Sequence, residues 1–67
     1  MFELGQEVKD SITGFSGVIV CRLEYLDGAR RYSIQSKKLD GDGKPLPLYD
    51  FDEKILVSME TENKIGF

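Results

Sequence analysis

Gly17-Val18-Ile19-Val20-Cys21-Arg22-Leu23-Glu24-Tyr25-Leu26-Asp27-Gly28-Ala29-Arg30-Arg31-Tyr32-Ser33-Ile34-Gln35 is the stretch whose reading decides the fold. It reads as two β-strands joined at Asp27-Gly28. A two-residue Asp-Gly connection suits a type I′ turn, in which both central residues take φ > 0. That turn sets a register: Leu26 opposite Ala29, Tyr25 opposite Arg30, Glu24 opposite Arg31, Leu23 opposite Tyr32 and Cys21 opposite Ile34. Leu23, Tyr32, Cys21 and Ile34 then share a core face. Arg22, Glu24, Arg31 and Ser33 share a wet face, with Glu24–Arg31 as an opposite-charge cross-strand pair. Val18 and Val20 fall on this outer face too. Valines on a solvated face need a cover, which in a short chain is either a second copy of the chain or the C-terminal segment folding back.

Outward from the hairpin, the pattern is one of short strands. Gln6-Glu7-Val8-Lys9-Asp10 reads as a first strand with Val8 inward. Ser11-Ile12-Thr13-Gly14-Phe15-Ser16-Gly17 reads as a turn whose glycines supply backbone geometry. A phosphate-cradling loop is a poorer reading of it, because a strand follows rather than a helix N-terminus. Lys37 to Pro47 is a loop rich in glycine, proline and charge. Its Asp40-Gly41-Asp42-Gly43 core lacks the twelfth-position glutamate of a calcium loop, because Phe51 stands there. Leu48-Tyr49-Asp50-Phe51 reads as a fourth strand. Asp52-Glu53-Lys54 reads as a helical turn capped by Asp52, and Ile55 to Met59 as a last strand. Residues 1–60 are expected to form one domain and 61–67 a C-terminal tail. Five short strands, a long central hairpin and one helical turn before the last strand predict an all-β, five-stranded SH3-like barrel. Closure would also remove the exposed edges of an open sheet.

The chain has 67 residues, 40% apolar and 31% charged, with a net charge of −3. This is the composition of a globular domain with a small core. The acidic balance argues against nucleic acid as a partner. No run approaches the ~20 apolar residues of a membrane span, and Met1-Phe2-Glu3-Leu4 does not read as a signal peptide. With one cysteine and no disulfide framework, the cytoplasm is the expected compartment. Histidine is absent, which removes the commonest general base and metal ligand. No cofactor or metal is implied. Asp50, Asp52 and Glu53 are clustered, but capping and outward strand positions account for them better than paired acid–base catalysis, so no catalytic residue is assigned.

The remaining residues frame two binding readings. Arg22, Arg30, Arg31 and Lys37 concentrate in the middle third with Tyr25. Arginine forks bind phosphate and tyrosine faces stack on bases, so this set fits a small anionic, nucleotide-like ligand held on the surface or between protomers. The alternative is a protein-interaction adaptor, with Phe15, Tyr49 and Lys44 lining an aromatic groove between loops. In either case Val18 and Val20 would form the interface of a homo-oligomer.

Several segments together resemble a family of short proteins encoded by phages and other mobile elements. They are Leu4-Gly5-x-x-Val8-Lys9-Asp10-x-Ile12-Thr13-Gly14-Phe15-x-Gly17, Arg22-x-Glu24-Tyr25-Leu26-x-Gly28, Arg31-Tyr32-x-Ile34-Gln35, Asp42-Gly43-Lys44-Pro45 and Phe51-Asp52-Glu53 with Leu56. The resemblance implies a mobile-element origin and the cytoplasm of the host cell, not a reaction. A looser resemblance, through Leu4-Gly5-x-x-Val8 and Gly17-x-Ile19, is to the plasmid-borne type II dihydrofolate reductases, which are small SH3-like barrels. Their substrate-binding Val-Gln-Ile-Tyr segment would fall near Leu48-Tyr49-Asp50-Phe51, where the residues do not match. The resemblance therefore implies an architecture and a site on the surface or between copies, without reductase activity.

Overall fold

The computed structural model describes residues 1–59. The expected tail at 61–67 lies outside the described residues. Strands β1 (Glu7–Asp10), β2 (Ser16–Glu24), β3 (Arg30–Gln35), β4 (Tyr49–Asp52) and β5 (Leu56–Ser58) form one sheet in the order β4-β3-β2-β1-β5. All four pairings are antiparallel. A single 3-10 turn, Glu53–Ile55, joins β4 to β5, and Asp52 caps it by accepting a hydrogen bond from the Lys54 amide. Among the described residues the ladder runs from β4 to β5 without closing. No helix among the described residues is long and apolar enough to cross a membrane.

One face of the sheet carries the core. Val8, Ile19, Tyr32, Ile34 and Leu56 are buried there, with Phe2, Phe15 and Phe51 packed against them. Each fully buried aliphatic side chain contributes about 1.5–3 kcal/mol, so four of them and one tyrosine make a small core. Gly17 is buried where β2 meets β3, and a Cβ there would stand 2.2 Å from the Gln35 carbonyl oxygen. Only glycine lets the strands approach this closely.

The hairpin turn differs from the sequence expectation. Gly28 has φ +91°, but no residue other than glycine has positive φ among those described, Asp27 included. The Gly28 amide donates to the Tyr25 carbonyl (2.9 Å), and the Tyr25 amide donates to the Ala29 carbonyl (2.9 Å). Leu26, Asp27 and Gly28 therefore make a three-residue connection with one left-handed position. The Asp27 carboxylate accepts the Ala29 amide at 3.0 Å. Asp27 thus stabilises the turn through its side chain and avoids the strained backbone of a type I′ turn.

The extra turn residue moves the register by one. Glu24 lies opposite Arg30, Leu23 opposite Arg31, Arg22 opposite Tyr32 and Cys21 opposite Ser33. The predicted pairs Tyr25/Arg30, Glu24/Arg31, Leu23/Tyr32 and Cys21/Ile34 are not formed. A bulge at Val20 absorbs the offset, and Ile19 returns opposite Ile34. Cys21 is therefore exposed and not in the core, and Arg22 takes the place beside Tyr32. Val18 keeps its outward position, half-buried opposite Glu7 and Gln35, and Val20 is 47% exposed.

Candidate functional site

The largest assembly of partly exposed rings is built from two parts of the chain. In β4, residues alternate: Tyr49 lies opposite Ile34 and Phe51 opposite Tyr32, on the core face. Phe15 arrives from the β1–β2 loop. Its ring stacks on Phe51 (centroids 5.5 Å apart, planes at 27°) and meets Tyr49 edge-on (5.5 Å, 85°). Such pairs add roughly 0.5–1.5 kcal/mol beyond the area they bury. Phe15 and Phe51 are half-buried, and Tyr49 is 51% exposed. Leu48, just before β4, is exposed as well.

Asp10 explains why Phe15 is held there. It ends β1, is buried, and its carboxylate accepts the Ile12 amide (2.8 Å) and the Thr13 hydroxyl (2.7 Å). The Thr13 oxygen accepts the Phe15 amide at 3.2 Å, and the Asp10 amide donates to the Phe15 carbonyl at 2.7 Å. The loop is wound onto one carboxylate. The Thr13 hydroxyl first, and the Ile12 amide next, hold the Asp10 carboxyl below its ordinary value, against the opposing effect of burial.

The basic residues singled out from the sequence do not form one cluster. Arg22 and Arg30 meet at Glu24, with each Nε 3.5 Å from Glu24 Oε1. Arg30 Nη1 also stands 3.8 Å from Glu53 Oε1. Arg30 Nε is enclosed and has no hydrogen bond among the described residues, so its pairing with Glu24 is electrostatic and lacks hydrogen-bond alignment. Arg31 lies on the opposite face and donates from Nη2 to the Asp50 carbonyl at 3.2 Å. Lys37 pairs with Glu7 at 3.0 Å, near Val18. Tyr25 is half-exposed at the hairpin end. Lys44 lies in the exposed loop, where its amide donates to Asp40 Oδ1 at 2.9 Å. Asp40 Oδ1 also accepts the Asp42 amide at 2.9 Å, so this carboxylate organises a turn. Among the described residues, no group of three or more metal-ligating side chains is assembled.

A crevice of about 320 Å³ opens between the hairpin turn and the 3-10 turn, lined by Asp27, Gly28, Ala29, Arg30, Asp52, Glu53 and Lys54. Its acids are already engaged. Asp27 accepts from Ala29, Asp52 caps Lys54, and Glu53 Oε2 accepts the Tyr32 hydroxyl at 2.7 Å. Tyr32 Oη accepts the Phe2 amide at 3.0 Å, and the Phe2 ring meets the Tyr32 ring edge-on. Burial first, and the bond to Glu53 second, push the Tyr32 phenol above its ordinary value. Asp50 accepts from Ser33 Oγ at 2.5 Å, so Asp50, Asp52 and Glu53 serve separate partners.

Sequence reasoning missed Phe51 as the third ring, Asp10 as the loop organiser and Glu53 as a hub. Two of these had a signal. Tyr49 and Phe51 stand two apart in a strand, and Asp10-Ser11-Ile12-Thr13-Gly14 has the composition of a side-chain-organised turn. Fold and site together define an antiparallel β-sheet domain with an aromatic surface at one edge. Set against family models, curated proteins and solved structures, the chain finds no match.

Proposed function

We propose that this chain is a non-catalytic binding module of a phage or mobile element, which recognises a protein partner through Phe15, Tyr49 and Phe51. The observation that carries this reading is the contact of the three rings, with Tyr49 half in solvent. Aromatic residues anchored on a rigid strand give large contact area at little conformational cost. Lys44, the third residue of the predicted groove, would act at its rim. The fold reading that goes with it is an SH3-like barrel. Its support is the strand order β4-β3-β2-β1-β5 and the 3-10 turn between the last two strands. The test is capture from host lysate. Wild type retains a partner that Tyr49→Ala and Phe15→Ala lose and that Lys37→Ala keeps. Equal retention by all four overturns the reading.

A second reading keeps the small anionic, nucleotide-like ligand. It is favoured by the crevice that Arg30 shares with Lys54, two of whose lining residues, Gly28 and Ala29, bond to the Tyr25 backbone. The other predicted contacts, Arg31 and Lys37, point elsewhere and would join such a site only across protomers. Self-association through the outer face is part of both readings. Val18, the exposed Val20 and the exposed Val57 are its support. Calorimetry against mono-, di- and cyclic nucleotides tests the ligand, and native mass spectrometry tests the copy number. Silence across the panel at millimolar ligand, or a monomer at high micromolar protein, overturns the respective part.

A further inference from the structure

The geometry points to β4 as an edge that takes up an extended basic peptide by strand addition. This inference rests on the protein-recognition reading above and names its binding mode and the chemistry of the partner. β4 stands at the end of the sheet order, with β3 as its one neighbour among the described residues. Beyond that ladder, the backbone of Tyr49–Phe51 takes one hydrogen bond among the described residues, from Arg31 Nη2 to the Asp50 carbonyl. An edge strand with free N–H and C=O groups is a template for another strand. Natural edges are blunted by proline, lysine, charge, shortness or a bulge; the four-residue Tyr49-Asp50-Phe51-Asp52 has no proline, lysine or register shift, and its guard is the negative charge of two aspartates, which repels an acidic strand and admits a basic one.

The side chains of β4 then define what fits beside it. Tyr49 and Phe51 look to the ring-lined face, and Asp50 and Asp52 to the other. Asp50 bonds to a serine hydroxyl and Asp52 to a backbone amide; Arg31 stands across from Asp52 but gives its hydrogen bond to the Asp50 carbonyl, so neither carboxylate is held in an ion pair among the described residues. Residues directly across a strand pair share a face. An incoming strand therefore places apolar side chains next to Tyr49 and Phe51, and lysine or arginine next to Asp50 and Asp52. A second copy of β4 is disfavoured, since antiparallel self-pairing sets aspartate against aspartate. The partner is a segment with alternating basic and apolar residues.

The experiment uses the full chain, isotopically labelled, and two six-residue capped peptides: one alternating lysine and valine, the other alternating glutamate and valine. The amides of Tyr49–Asp52 should shift saturably with the lysine peptide and gain protection from hydrogen exchange. The glutamate peptide should bind about tenfold or more weakly, as expected for two reversed cross-strand charge pairs. The double variant Asp50→Lys/Asp52→Asn should reverse that preference, and Asn at position 52 still caps the 3-10 turn. Asp50→Asn alone, with an unchanged melting curve, should narrow it. Absence of binding at millimolar peptide, shifts centred on β5, or a preference indifferent to these substitutions overturns strand addition. Loss of a captured partner in Tyr49→Ala without protection at β4 refutes this inference and leaves the aromatic recognition reading standing.

Discussion

Gly17→Ala is the substitution whose effect the structure fixes most tightly. The new Cβ would lie 2.2 Å from the Gln35 oxygen, 2.7 Å from the Gln35 carbonyl carbon and 2.9 Å from Ile34 Cγ2. The first two are backbone atoms, so no side-chain rotation relieves them. β2 and β3 must part by most of an ångström at Val18↔Gln35, next to the Ile19↔Ile34 core pair. Overpacking of this kind costs about 1–3 kcal/mol, and a ladder hydrogen bond lost with it about 1 kcal/mol. The reduced freedom of the unfolded chain returns roughly 0.4–1 kcal/mol. The net expectation is a loss of about 2–3 kcal/mol, from a total of about 3–10 kcal/mol for a domain of this length. At about 4–8 °C per kcal/mol, the melting temperature falls by roughly 10–20 °C. Urea and thermal unfolding followed by circular dichroism read this directly. Gly41→Ala is the control, because its Cβ meets nothing within 4 Å and its φ is not positive. A Gly17→Ala midpoint within about 0.5 kcal/mol of wild type, the range of ordinary surface changes, refutes the close approach of the two strands.

Three further outcomes are expected. Tyr32→Phe leaves the Phe2 amide and Glu53 without their shared partner and should cost about 1–2 kcal/mol in urea unfolding. The Tyr32 phenol titrates higher in the folded chain than its ordinary 10.0. Its contribution to stability is therefore complete below pH 10 and is lost as pH rises beyond it, and Tyr32→Phe should abolish that alkaline decline. Asp10 titrates lower when folded than its ordinary 3.8. Its contribution is present above that value and is lost as pH falls through the lower folded one. Asp10→Asn should flatten the acid limb of urea midpoints measured from pH 7 to 2, and superimposed limbs would refute the role given to the Thr13 and Ile12 bonds. Cys21 is exposed in the single chain, so it should react with a thiol reagent as fast as in urea in dilute protein, and more slowly at concentrations where copies associate through the outer face. Slow native reaction would mean that the outer face is covered.

The core was largely legible in the sequence because strand alternation survives local errors. Val8, Ile19, Tyr32 and Ile34 are each inward by period two, and Asp52 caps the 3-10 turn as its position before Glu53-Lys54 predicts. The turn at Asp27-Gly28 was misread because an Asp-Gly pair serves two geometries. Which one forms depends on whether Asp27 spends its carboxylate on Ala29, a choice that composition does not reveal. Cys21 was misplaced for the same reason, since a bulge is invisible in a pattern of mixed polarity such as Val20-Cys21-Arg22. The aromatic site was half legible. Phe15 and Tyr49 were named, but their meeting depends on the winding of residues 11–15 around Asp10, a contact between loop atoms with no periodic signature.

The surplus residue at Val20 has a consequence for how this hairpin tolerates changes of length. Every pair on either side of it is already in phase with its own half of β3. Excising Val20 would join the two halves into one regular ladder and leave Ile19 and Cys21 facing as they do now. A single-codon deletion at that point is thus a conservative edit, whereas the same deletion at Leu23, beyond the bulge, would put Glu24 in the place of Leu23 and turn over the side chains from there to the turn.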